Sequence, residues 1–125
     1  MPADFKRSAA NVIGGVGLLR EGSPGAMKAF GALSLAATAP GAIDTKMKEL
    51  MALAIGIAVH CDGCVAYHTK MAHQHGATRE EMLETAALAV YMGGPAAVYG
   101  ADAVRAYDGL REIVSDRGLQ AGISV

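Results

Sequence analysis

From Leu50 to Val59 the chain carries no charge, and it runs directly into Cys61-Asp-Gly-Cys64-Val-Ala-Tyr-His68. Asp44 stands ahead of this run as an N-cap, so the segment from Ile43 to His60 reads as one helix. From Leu50 onward that helix is apolar almost all round, which is the pattern of a buried central helix. The other segments are then expected to wrap it as helices with one apolar side. The run is well short of the roughly 20 apolar residues a membrane span needs. The second apolar stretch, Ala86 to Tyr99, is broken by Gly93-Gly94-Pro95, so no membrane partner is expected.

The flanking sequence divides into further helices. Asp4 can cap a first helix over 4–20, although Gly14, Gly15 and Gly17 weaken it. Glu21-Gly-Ser-Pro-Gly25 is a break, with Ser23 able to cap and Pro24 suited to the first position of a second helix reaching about Ala37. Phe30, Leu33 and Ala37 recur there at helical spacing. Thr38-Ala-Pro-Gly-Ala42 is the next connector. The fourth helix covers 61–75 and stops at Gly76. Thr78 and Glu81 form a capping-box pattern that starts a fifth helix over about 78–92, with Met82, Ala86, Ala89 and Val90 on its apolar side. A sixth is expected from Pro95 to about Asp116, ahead of a tail containing Gly118 and Gly122. Met51, Met71 and Met82 are assigned to the core. No alternating strand pattern or internal repeat is present, so the fold class is all-α: a compact bundle of about six helices, one domain over 1–125.

Helical spacing gathers the chemistry of the fourth segment. At 100° per residue, Cys61, Cys64 and His68 fall within roughly 60° of arc. Both cysteines would stand in the first turn, where free backbone N–H groups and the positive dipole end favour a thiolate. His68, four residues after Cys64, can take or return its proton. In the preceding helix Glu49, Leu53, Gly56 and His60 line one side that points towards the cysteines. Glu49 is expected to be partly buried and to complete a proton relay, while Gly56 lets a backbone or small substrate come close. Two cysteines three apart close too small a loop to stabilise much by chain entropy. Redox or metal chemistry is the better reading of that spacing. For a zinc site, Cys61, Cys64 and His68 supply suitable ligand types, with His60 or Glu49 as a fourth. His73 faces away from the cysteines, and His75 lies at the helix end. Tyr67, Tyr91 and Tyr99 suit packing or the lining of a substrate pocket.

Glu49, eleven intervening residues, then Cys61-x-x-Cys64-x-x-x-His68, framed by Lys46-Met-Lys-Glu-Leu50 and His75-Gly-Ala-Thr-Arg-Glu-Glu81, resemble the AhpD-like alkyl hydroperoxidases of the carboxymuconolactone decarboxylase family. The resemblance covers about residues 25–110. It implies an all-helical oligomer, trimeric or hexameric, that reduces hydroperoxides through a thiol and disulfide cycle without a bound cofactor. It implies Cys61, Cys64, His68 and Glu49 as catalytic residues; His60 is this chain's own candidate accessory. Cys64, one turn before His68, is the expected point of attack and Cys61 the resolving partner. An external dithiol would then reduce the disulfide. One departure stands out: mycobacterial-type AhpD proteins place a second histidine within the C-x-x-C pair, where this chain has Gly63.

Composition sets further bounds. A net charge of −1 and a pI near 6.4 leave no basic footprint for nucleic acid. Hydrophobic residues make up 52% and charged residues only 18%, so part of the apolar surface is expected to be buried between copies. The N-terminal segment has no small-residue cleavage site after its apolar stretch, and a cytoplasmic location is expected. Two other functions stay open at this stage. One is a redox-sensing or zinc-binding helical oligomer without catalysis. The other is an enzyme acting on a small organic acid with Glu49 and His60 as acid and base, although the decarboxylase branch lacks the dithiol.

Overall fold

The computed structural model describes residues 4–93 and 101–111. All regular structure in them is helical: α1 (Phe5–Gly22), α2 (Pro24–Thr38), α3 (Thr45–Ala58), α4 (Asp62–Gln74), α5 (Arg79–Gly93) and a further helical run over 101–111. None of these helices is long and apolar enough to cross a membrane. The ends of the expected sixth helix, Tyr99 and the tail lie outside the described residues.

Local chemistry places the helix ends close to where the sequence puts them. Asp4 accepts from the Arg7 amide at 3.0 Å and Asp44 from the Met47 amide at 2.8 Å, each relieving a donor with no partner inside its helix. Thr78 and Glu81 form the full reciprocal box: the Glu81 amide donates to Thr78 Oγ1 at 3.2 Å and the Thr78 amide to Glu81 Oε1 at 3.1 Å. Ser23 occupies the N-cap of α2 without a side-chain cap bond, and Pro24 follows it at the first position.

Packing centres on α3, which lies against α4 and α5, while α1 crosses α4. The core joins Leu50, Leu53 and Ile57 of α3 to Val65, Ala66 and Ala72 of α4, Met82, Ala86 and Ala89 of α5, and Ala103, Ala106 and Tyr107. Its many alanines let helix axes approach closely, and Leu53, Ile57, Val65 and Met82 supply the bulk. The Lys46 ammonium meets Glu81 Oε2 at 2.8 Å, tying the start of α3 to the start of α5. Arg79 grips Asp108 through two hydrogen bonds, of 2.8 and 3.2 Å.

The structure changes one expectation about α3. Its buried side is a single face, Glu49, Leu50, Leu53, Gly56 and Ile57. Met51, assigned above to the core, is exposed, as are Ile55 and Val59. Among the described residues, the inward face is the one that packs against α4 and α5. In α2 the departure is larger: Phe30 is 59% and Leu33 65% exposed, and no residue of the helix is buried.

Candidate active site

The site forms at the junction of α3 and α4. At the end of α3 the Cys61 amide donates to Gly56 O at 3.0 Å and the His60 amide to Ile57 O at 3.2 Å. This crossed pair is the Schellman arrangement, which requires a left-handed residue immediately beyond the helix cap. His60 fills that position at φ 59°, where glycine is the usual choice. The helical stripe running from Glu49 therefore ends at Gly56. His60 lies past the turn, exposed, and does not continue it.

The turn delivers Cys61 to the N-cap of α4, one position ahead of the first turn in which the spacing placed it. Its sulfur accepts the Cys64 amide at 3.1 Å. A thiolate there is stabilised by that N–H and by the positive end of the helix dipole. Cys61 and Cys64 are joined in a disulfide with Cα atoms 5.2 Å apart. Gly56 permits the close packing beneath them: a Cβ built on it would stand 2.9 Å from Cys64 Cβ and 3.4 Å from the Val65 backbone nitrogen. The close approach anticipated at Gly56 is thus that of the α4 backbone itself.

One turn beyond Cys64, His68 Nδ1 and Glu49 Oε2 are 2.7 Å apart. The Glu49 side chain is only 4% exposed and that of His68 25%, so the carboxylate is held inside while one edge of the imidazole reaches solvent. When the pair is neutral at the ring, Nδ1 is the nitrogen that carries the proton and donates it to the carboxylate, leaving Nε2 as the base. Burial makes the contact matter, because a carboxylate out of water needs a partner. Tyr67 meets the His68 ring edge-on, with centroids 5.1 Å apart, and fixes its tilt. Tyr91 is exposed.

The structure thus brings together four of the sequence-selected residues, Cys61, Cys64, His68 and Glu49, and pairs Glu49 with His68 and not with His60. Among the described residues no group of three or more His, Cys, Asp or Glu could hold a metal ion. Sequence reasoning did not foresee the contact at Gly63. A Cβ there would stand 2.9 Å from Val12 Cγ2, so α1 occupies the space a side chain would need. The histidine that mycobacterial-type AhpD proteins carry within the pair has no room unless the Val12 side chain or α1 shifts. Nothing in the local spacing of Val12 and Gly63 signals this, since they are far apart in the chain.

The family model for the carboxymuconolactone decarboxylase family matches residues 24–106. The chain belongs to this family. An uncharacterized protein of Cupriavidus necator is 38% identical over 111 residues, spanning 88% of this chain and 98% of its own length. A family member of Legionella pneumophila, solved in its apo form, superposes with a TM-score of 0.80 at 40% identity over 84% of this chain and 95% of that one. A Thermotoga maritima member, suggested to be involved in an antioxidative response, gives 0.66 at 34% identity over 71% of this chain and 93% of that one. These family structures share the AhpD-like helical fold of this chain.

Proposed function

We propose that the protein is a thiol-dependent hydroperoxide reductase that cycles Cys61 and Cys64 between dithiol and disulfide. The observation that carries this reading is the placement of a redox-capable pair at a helix N-terminus, one turn from an imidazole held by a buried carboxylate. The antioxidative role suggested for the Thermotoga maritima relative supports it.

In the reduced enzyme His68 Nε2 takes the Cys64 thiol proton, and the imidazolium is stabilised by Glu49. The Cys64 thiolate attacks the terminal peroxide oxygen. The O–O bond breaks, the alkoxide takes the proton back from His68, and Cys64 is left as a sulfenic acid. Cys61 gives its thiol proton to His68, its thiolate, stabilised by the Cys64 amide, attacks the Cys64 sulfur, and the leaving hydroxide takes that proton from His68 and departs as water, giving the disulfide seen here. An external dithiol returns the pair to the reduced state by exchange, with Cys61 the more stabilised leaving thiolate.

The exposed apolar faces support a second part of this reading, assembly with copies of the same chain. Phe30, Leu33 and Leu35 on α2, Ile55 and Val59 on α3 and Leu88 and Met92 on α5 would otherwise remain in water. Light scattering on the purified protein counts the subunits directly, and a monomer at micromolar concentration contradicts this part.

The decisive experiment counts free thiols in the reduced protein before and after one equivalent of cumene hydroperoxide, with mass analysis of the peptide holding both cysteines. Rapid loss of both thiols and of two hydrogens is expected. Cys64→Ser should abolish the reaction, whereas Cys61→Ser should stop it at a trapped sulfenic acid on Cys64. Unreactive thiols in the wild-type protein refute the peroxidase reading. Turnover surviving Cys64→Ser reverses the two roles.

A further inference from the structure

Beyond the dithiol site, described residues line a cavity of about 510 Å³ set between α1, α4 and helical residues 101–111. Its α4 wall, Ala66, Lys70 and His73, lies about 120° to 180° round the helix axis from Cys61, on the side away from the dithiol. It is therefore a separate site. That volume lies within the roughly 300–1,000 Å³ range of small-molecule pockets.

The lining has two parts. Phe5, Ala9, Ile13 and Leu110 offer an apolar wall, and among the described residues the titratable groups lining the cavity are Lys6, Lys70 and His73. Lys70 is half-buried, and it makes no ion pair or hydrogen bond within the described residues. His73 meets the Tyr107 ring edge-on at 5.5 Å, which fixes its plane beside the cavity. With no ion pair within the described residues, the Lys70 ammonium is available to an anion entering the cavity.

From the apolar wall and the cationic rim together we infer that this cavity binds a small amphipathic carboxylate, a medium-chain fatty acid by chemical class. Its carboxylate sits at Lys70 and His73, and its chain lies along Phe5, Ala9, Ile13 and Leu110. The inference is independent of the peroxidase reading, because it uses none of the dithiol residues.

The probe is decanoate, titrated by calorimetry into the full-length protein, with decyltrimethylammonium as a chain-matched ligand of opposite charge. Saturable one-to-one binding of decanoate below about 1 mM is expected, a bound set by the modest free energy per atom of ligands this size. Decyltrimethylammonium should bind at least tenfold more weakly. Lys70→Glu, which reverses the rim charge, and Ala10→Trp, which fills the mouth, should each weaken decanoate binding at least tenfold. Both positions have solvent access, and thermal unfolding verifies that the variants fold. In the wild-type protein the Ala66 and Ala106 methyl resonances should shift with decanoate, which places the ligand without any substitution. Absence of saturable binding to the intact chain overturns the proposal. Equal binding of the two amphiphiles overturns it as well, as does binding unaffected by both variants.

Discussion

α2 and α3 are comparably apolar and similar in length, yet the chain uses them in opposite ways. Helix α3 turns one face onto α4 and α5 and buries Leu53 and Ile57 completely, together with the Glu49 carboxylate. Helix α2 buries nothing, and Leu35 stands 75% exposed. Apolar content therefore measures how much surface a helix must hide, and not whether the same chain hides it. The inward face of α3 is specified by partners within the chain. On our proposal the faces of α2 are specified by other copies.

This contrast gives a graded set of tests. The largest effect is expected in the core: Leu53→Ala should cost about 3 to 4 kcal/mol in urea unfolding, the range for a leucine truncated in a packed interior. Leu33→Ala on α2 should change protomer stability by under about 0.5 kcal/mol while weakening assembly in light scattering. A cost at Leu33 equal to that at Leu53, with the oligomer unchanged, would break the comparison.

Next comes the chemistry carried by the buried face. Glu49→Gln keeps the shape but removes the charge facing His68, and should slow peroxide-driven disulfide formation by about 100-fold, at the lower end of general acid–base contributions. A purely structural Glu49 would leave that rate within a few-fold of wild type in the folded variant.

Gly56→Ala sets a methyl against Cys64 Cβ and nearby α4 backbone, and should cost about 1 to 3 kcal/mol by overpacking. It should also impair closure of the disulfide, read as a slower second step after sulfenic acid formation. The same substitution at Gly31 on α2, where a Cβ meets nothing within 4 Å, should be neutral or slightly stabilising, since alanine is the better helix former.

The smallest effect belongs to the ion pair that fastens α3 to α5. The hydrogen bond and charge of Lys46 lower the Glu81 pKa, and those of Glu81 raise that of Lys46. The lowered carboxyl contributes stability above its ordinary value of 4.5, lost as pH falls through the depressed value in the folded protein. The raised ammonium contributes below 10.5, lost as pH rises through its elevated value. Glu81→Gln should therefore flatten both limbs of the stability profile slightly, and 1 M salt should shrink the difference from wild type, because the pair lies at the surface. Helix α2 offers no such pair among the described residues, so Lys28→Gln should leave both limbs unaltered.

Much of this molecule is written locally. Asp4, Asp44 and the Thr78–Glu81 box fix helix starts because a cap bonds an amide two or three residues away, well within the reach of sequence spacing. The common face of Cys61, Cys64 and His68 follows from 3.6 residues per turn, and the pairing of the two sulfurs needs only one turn of α4. Two expectations of the same local kind missed. Met51 was assigned to the core because a run that is apolar all round does not say which side will find neighbours. His60 was placed on the Glu49 stripe because helical periodicity does not register the left-handed residue that ends α3.

The all-helical class, most helix ends and the dithiol face of α4 are set by interactions between residues a few positions apart, and so are legible in the chain before it folds. Tertiary structure alone decided that Glu49 meets His68 across 19 residues of chain, that α4 lies tight on Gly56 and that Val12 closes the space at Gly63. Those contacts depend on how helices cross. Crossing is settled by the shape of whole faces packing against one another, which no single stretch of sequence contains.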